Sequence, residues 1–123
     1  MSLDFYIEAR EETDHPCICT DCGHEHNRRY RDGLFSQNIT HNLGAMFSEA
    51  GVYEILWRGD GLVAGSVVDR LVAALQVMRD DEPRFRKFDA PNGWGRYEHA
   101  VEFLSDVIAG CREHPEGVIR CSR

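Results

Sequence analysis

Residues 17–26 read CICTDCGHEH, a string that places three cysteines and two histidines within ten residues. Zinc in proteins prefers four ligands drawn from thiolate sulfur and imidazole nitrogen, arranged as a tetrahedron. So many donors in one short segment predict a local metal site, which any fold of the chain has to accommodate. The candidate ligands are Cys17, Cys19, Cys22, His24 and His26.

A β-hairpin at residues 15–28, with its tip at residues 20–21, explains how these donors converge. Side chains alternate between the two faces of a strand, so Cys17 and Cys19 share one face of the first arm. The other three candidates occupy alternate positions of the second arm and share one face there. We therefore predict a projecting hairpin that binds a structural Zn²⁺ ion.

The segment Cys19-x-x-Cys22-Gly23 resembles a zinc knuckle, in which the glycine lets backbone amides turn towards the sulfurs. A single C-x-x-C pair is also typical of redox or disulfide sites, and thiols in a polar loop need have no function. The second ligand pair is Cys17 with one of the hairpin histidines, or it includes a donor from elsewhere in the chain. The remote candidates are His41, Cys111 and Cys121.

The composition indicates one globular, acidic domain over residues 1–123. Its 123 residues are 42% hydrophobic and 10% aromatic, enough to bury one modest core. The formal net charge of -7 argues against a nucleic-acid or anionic-membrane binder, because such proteins need a basic surface. No apolar run reaches the length of a membrane span, and the N-terminus does not resemble a signal peptide. The odd number of five cysteines disfavours a disulfide framework, so we expect a cytoplasmic protein.

Alternation of apolar and more polar residues predicts the strands. The apolar residues Leu3, Phe5 and Ile7 alternate with more polar residues, as in a half-buried strand. Residues 34–35 belong to a second strand paired with the first, and residues 118–121 form a last strand beside the first. The order β-β-α-α-α-β predicts an α+β fold. Helices cover one face of a small, mostly antiparallel sheet, and the hairpin projects between the first two strands.

Apolar residues at helical spacing predict three helices between these strands. The first is N-capped by Ser36 or Asn38 and ends near Gly51, which suits a left-handed C-cap. A short segment then buries Trp57 against the sheet, and a second helix begins near Ser66. The predicted stripes are Ile39, Leu43, Met46, Phe47 and Ala50; Val67, Val68, Leu71, Ala74, Leu75 and Met78; and Tyr97, Val101, Leu104, Ile108 and Cys111.

Two stretches carry candidate ligand-binding residues. Polar side chains at the predicted start of the first helix either bind an anion, place a general base or simply cap the helix. The string PNGWGRYE at residues 91–98 either stacks an aromatic ring on a flat ligand or plugs the core with its tryptophan. The candidates are Asn38, His41, Asn42, Trp94, Tyr97 and Glu98.

Three strings in the second part of the chain resemble segments of a set of small uncharacterised proteins encoded by bacteriophages and actinobacteria. They are NITHNL at residues 38–43, G-x-Y-x-x-L-W at 51–57 and PNGWG-x-YE at 91–98. The likeness covers most of the chain after Leu34. Many of those proteins have a short turn where this chain has its hairpin, which implies that the metal is a local addition. The resemblance implies no established activity, but it directs attention to the six ligand-binding candidates as one pocket.

Three functions remain open. The first is a non-enzymatic module, stabilised by zinc, that binds a small ligand or a protein partner, with self-association into a homo-oligomer left open. The second is a small metal-assisted hydrolase or transferase with His41 as base and Glu98 as acid. The sequence contains no nucleophile elbow, phosphate loop, zincin or deaminase motif to support it. The third, which the net charge disfavours, is a nucleic-acid-binding hairpin that uses Arg28, Arg29 and Arg31.

Overall fold

The computed structural model describes residues 2–18, 23 and 25–123. Strands and helices within this part form an α+β fold, as the sequence predicts. The elements in chain order are β1 (Ser2–Glu8), β2 (Thr13–Ile18), β3 (Glu25–Tyr30), β4 (Gly33–Thr40), a 3-10 helix (His41–Leu43), α1 (Gly44–Glu49), α2 (Tyr53–Arg58), α3 (Ala64–Asp80), α4 (Glu82–Arg86), α5 (Tyr97–Glu113) and β5 (Val118–Ser122).

β1 is the central strand of an antiparallel sheet with the order β4-β1-β5. Phe5 pairs with Gln37 on one side and with Cys121 on the other. Leu3, Phe5 and Ile7 are fully buried, while the residues between them are exposed or half-buried. The period-two pattern therefore identified the central strand, and the last strand lies beside the first as predicted.

β2 and β3 form a separate antiparallel hairpin between β1 and β4 in the chain. β1 and β4 pair with each other up to the point where the hairpin begins. Glu8 pairs with Gly33, and the Ala9 N–H donates to the Asp32 carbonyl at 2.7 Å. The described side chains of the hairpin strands are exposed, and none of them belongs to the hydrophobic core of the described residues. The hairpin is thus an insertion at a closed junction of the main sheet.

The first helix begins later than the sequence pattern predicts. β4 continues through Thr40, so Asn38 and Ile39 lie in a strand. Ile39 pairs with Leu3 and is buried, and such a site in a sheet favours a β-branched residue. The N-cap predicted within this strand is therefore wrong. Thr40 takes that role for the 3-10 helix, because its hydroxyl accepts the Asn42 N–H at 3.3 Å.

α1 and α2 form one end of the helical layer. α1 ends at Glu49, and Gly51 follows with a φ of 84°, the left-handed conformation predicted for it. In α2, Trp57 is buried as predicted and stacks on Tyr53, with ring centroids 5.0 Å apart. This aromatic pair anchors the short α2 to the core.

α3 and α5 carry the longer apolar stripes. α3 begins at Ala64, before the predicted start at Ser66, whose hydroxyl donates to the Val63 carbonyl at 2.6 Å. In the apolar stripes predicted for the second and third helices, which are α3 and α5, every residue is buried except Val68 and Val101. These two are half-buried. Helical spacing therefore located the buried faces better than it located the helix ends.

One hydrophobic cluster lies between the sheet and the helices. It combines the buried residues of β1 with side chains from β4, β5 and the helices. Helices therefore cover one face of the sheet, as predicted. Within the part of the chain that the structure describes, no helix is long and apolar enough to span a lipid bilayer.

Candidate functional site

Trp94 stands on the loop between α4 and α5, and its side chain is 73% exposed. The Trp94 N–H donates to Asn92 Oδ1 at 2.9 Å, and the Trp94 carbonyl accepts from Asn42 Nδ2 at 2.8 Å. Beside it, the Ala90 N–H donates to the Gly95 carbonyl at 2.9 Å. The alternative in which Trp94 plugs the core is therefore wrong, because the loop is fixed and presents the indole to solvent.

Asn38 lies on the outer face of the sheet instead of at a helix terminus. Its side-chain amide donates to Asp4 Oδ1 at 2.6 Å and to Ser2 Oγ at 3.1 Å. These bonds tie β4 to β1. Of the polar residues expected to form one pocket, Asn42 is the one that the structure joins to Trp94.

His41 lies between these two asparagines in the chain but faces the core. Its ring packs edge-on against the ring of Trp57, with centroids 6.1 Å apart. Its Nε2 atom is buried and has no hydrogen-bond partner among the described residues. A general base has to reach its substrate, and this nitrogen is withdrawn from solvent. The geometry therefore does not favour Nε2 of His41 as a base or as a metal ligand.

Tyr97 and Glu98 both have structural partners. The buried Tyr97 hydroxyl donates to the Met78 carbonyl at 2.9 Å, and burial raises the pKa of this hydroxyl. Glu98 Oε1 lies 2.6 Å from Nη2 of Arg86, and this hydrogen bond holds the pKa of Glu98 below its ordinary value. A general acid at neutral pH needs a raised pKa, so Glu98 is poorly suited to that role.

Replacing Arg86 with alanine should raise the pKa of Glu98 towards its ordinary value, because the hydrogen bond that lowers it is lost. A carboxyl with a lowered pKa stabilises the fold above its unfolded-state pKa, and this contribution is lost as the pH falls through the folded-state pKa. The stability of Arg86→Ala should therefore fall less on acidification than the stability of the wild type. A carboxyl-detected NMR titration measures the pKa directly.

Arg84→Ala is the matched control for this titration. Arg84 lies on α4, as Arg86 does, and its guanidinium pairs with Glu49 at 2.7 Å. The control should leave the pKa of Glu98 unchanged. Equal Glu98 titration curves in the wild type and Arg86→Ala would show that this ion pair does not form in solution.

An open groove of about 320 Å³ lies between residues 37–40 of β4 and the residues His99, Glu102, Phe103 and Asp106 of α5. A second depression, of about 450 Å³, is lined by Asn42 and residues 88–92. Asn38 and Asn42, both predicted ligand residues, thus line different depressions. The sequence does not single out the acidic groove residues Glu102 and Asp106. Polar residues that line a groove and polar residues that face solvent have the same spacing along a helix.

The predicted metal ligands fall largely outside the described residues. Cys19, Cys22 and His24 lie outside them altogether, as do the side chains of Cys17 and His26. The backbone pairs Cys17 with His26 directly across β2 and β3. Within the described residues, no group of three or more His, Cys, Asp or Glu side chains could hold a metal ion.

The described cysteines outside the hairpin are poor candidates to complete a metal site. Cys111 is buried in α5, and Cys121 is half-buried in β5. Burial raises the pKa of each thiol to about 11, so both are protonated at neutral pH. The thiolate is the form that binds metal. Among the described residues, neither thiol belongs to a group of three or more His, Cys, Asp or Glu side chains that could hold a metal ion.

One of the three arginines in β3 and the following turn is paired with an acidic residue of β2. Arg29 Nε lies 3.5 Å from Asp14 Oδ1 across the hairpin, and both side chains are exposed. Arg28 is exposed, whereas Arg31 is half-buried. Its Nε has no hydrogen-bond partner among the described residues. The cluster therefore presents less free positive charge than its sequence indicates.

The chain matches no protein-family model, no curated protein and no solved structure. The resemblance of residues 38–43, 51–57 and 91–98 to phage and actinobacterial proteins therefore stays a prediction. Any functional assignment has to rest on the geometry of the chain itself.

Proposed function

We propose that this protein is a non-enzymatic binding module whose β2–β3 hairpin is held together by a structural zinc ion. The observation that carries the proposal is the hairpin's lack of packing. Its described side chains are exposed, and among the described residues none of them enters the core. A two-stranded hairpin is at best marginally stable in water, so this ladder needs a further source of stability.

The ladder register fits a metal as that source. Cys17 pairs with His26 next to the last described pair, Ile18 with Glu25. Positions paired in an antiparallel ladder have Cβ atoms about 4.5–5.5 Å apart, a separation that one metal ion can bridge. Cys19, Cys22 and His24, all within six residues of this pair, would supply the remaining ligands. Bound zinc would cross-link the two arms and supply stability that the ladder lacks.

The binding role is supported by Trp94. Its indole is exposed, while a hydrogen bond donated by Asn42 and one accepted by Asn92 hold the backbone that carries it. Tryptophan is enriched among the residues that dominate binding energies at protein interfaces. A fixed loop loses little conformational entropy on binding. We therefore place a protein or small-ligand contact at the Trp94 loop.

The hydrolase or transferase alternative has less support. It needs His41 as base and Glu98 as acid, but Nε2 of His41 is buried against Trp57 and Glu98 is bound to Arg86. The pKa of Glu98 is lowered, which is opposite to what an acid catalyst needs. The nucleic-acid alternative is weakened by the Arg29–Asp14 pair and by the net charge of -7.

Elemental analysis of protein purified under reducing conditions should find about one zinc ion per chain, the stoichiometry of a single tetrahedral site. The double variant Cys19→Ala/Cys22→Ala should lose the metal. In NMR spectra, the amides of β2 and β3 should then lose their dispersion, because the ladder loses its cross-link. The thermal midpoint should change little, since among the described residues no hairpin side chain enters the core.

Cys121→Ala is the control, because this thiol lies in β5 and not in the hairpin. It should retain the full zinc content. Zinc that stays bound in the double variant would place the metal elsewhere, and wild-type protein without metal after reconstitution with zinc would refute the structural site.

A further inference from the structure

β4 is an edge strand, because within the described residues its only ladder partner is β1. The Asn38 N–H donates to the side-chain oxygen of its neighbour Gln37 at 3.2 Å instead of to β1. Backbone groups of an antiparallel strand point alternately to its two sides, so Ser36 also directs its N–H and carbonyl to the open side. Such an edge is able to pair with a further strand.

The groove of about 320 Å³ runs beside this open edge. Ile39 and Phe103, which line it, are buried residues, and Glu102 and Asp106 line its α5 side. Alternate side chains of an added strand would point towards the helix. The groove therefore offers negative charge, above the almost fully covered Ile39 and Phe103, to one side of an incoming strand.

The charge of the groove identifies the kind of strand that fits. Glu102 is exposed, and Asp106 accepts a hydrogen bond from Gln37 Nε2 at 3.0 Å. These carboxylates lie four residues apart on α5 and so share one face of the helix. The described lining contains no lysine or arginine. A second copy of this chain, with a net charge of -7, would bring like charge to this edge, whereas a cationic segment would be attracted.

The Trp94 loop lies close to Thr40, at one end of the groove lining. Thr40 lies at the end of β4 and lines the groove. Gly95 packs so closely on it that a Cβ atom on this glycine would lie 3.0 Å from Thr40 Cγ2. A strand that follows β4 as far as Thr40 therefore arrives beside the exposed Trp94.

We infer that the open edge of β4 binds an extended segment of a partner protein, rich in lysine or arginine, as an added strand. Its cationic side chains pair with Glu102 and Asp106, and one end of the segment contacts Trp94. The inference rests on the proposed binding role and names the class of partner for it.

Fluorescence anisotropy with the labelled peptide Lys-Val-Lys-Val-Lys-Val-Lys, capped at both ends, tests the inference. We expect saturable binding to the wild type. Binding should weaken by at least about tenfold in Glu102→Lys/Asp106→Lys, because attraction becomes repulsion. The control Glu54→Lys/Asp69→Lys makes the same change of charge at exposed positions of α2 and α3 and should bind like the wild type.

A peptide with the same sequence but N-methylated at alternate residues separates strand pairing from simple charge attraction, since it keeps every charge and loses backbone donors. It should bind at least about tenfold more weakly. Any of three results would overturn the inference. These are equal binding of the two peptides, equal weakening of binding in the two charge-reversed variants, and no saturable binding to the wild type. None of these outcomes would alter the zinc content of the protein. The peptide-binding inference and the structural zinc site are therefore tested independently.

Discussion

Trp57→Ala should lower the free energy of unfolding by about 3–5 kcal/mol, the usual range for truncating a buried tryptophan. Trp57 is only 2% exposed. Its ring stacks on Tyr53 at 5.0 Å and lies 5.8 Å from that of Phe47. Truncation leaves a cavity between α1, α2 and the sheet that these rigid aromatic neighbours cannot fill. Because a domain of this size has about 5–15 kcal/mol of stability, the loss is a large part of the total.

Trp94→Ala is the matched control, since it removes the same side chain from an exposed position. Its effect should stay within about 0.5 kcal/mol, as for most surface substitutions. Chemical denaturation followed by circular dichroism measures both variants without relying on tryptophan fluorescence. Similar losses in the two variants would contradict the placement of one tryptophan in the core and the other in solvent.

The sequence contained enough information to find the core strands and the buried helix faces. Leu3, Phe5 and Ile7 alternate because β1 is buried on one side only, and a local pattern is sufficient to show this. The spacing of Ile39 to Leu43 predicts a helix, but the same spacing also fits the end of a strand. Pairing with β1 decides between them, and that long-range contact has no local signal.

The candidate site was harder to predict because its contacts join distant parts of the chain. The sequence predicts that Asn42 contacts a ligand, whereas in the structure its amide donates to the carbonyl of Trp94, fifty-two residues further on. The sequence leaves Glu98 open as an acid because nothing local indicates that Arg86 binds it across a loop. A polar residue that holds a loop and one that holds a ligand have the same sequence signature, and only the bonding partner distinguishes them.

The hairpin illustrates how a local feature can be added to a fold without changing its core. Glu8 pairs with Gly33 and Ala9 with Asp32, so the chain leaves and re-enters the sheet at neighbouring positions. A short turn could join the same two strands. This geometry keeps the described hairpin side chains apart from the core. It is also the reason to expect zinc to stabilise the hairpin and not the core.

Gly95→Ala should lower the free energy of unfolding by about 2–3 kcal/mol, because it adds a steric contact to a strained backbone conformation. Gly95 has a φ of 115°, which L residues rarely adopt. A Cβ atom there would lie 3.0 Å from Thr40 Cγ2 and 3.3 Å from Asn42 Cβ. Relief of these contacts moves the loop away from β4, so the hydrogen bond from Asn42 to the Trp94 carbonyl should weaken as well.

Gly93→Ala is the control for placing a Cβ atom at a positive φ where it makes no steric contact. Gly93 also has a positive φ, 76°, but nothing lies within 4 Å of the position where its Cβ would be. It should therefore lose only about 1 kcal/mol, the conformational part. Denaturation gives the two stabilities, and the side-chain amide shifts of Asn42 report on the loop. If both variants lost equal stability with unchanged Asn42 shifts, the Trp94 loop would not be packed on the end of β4.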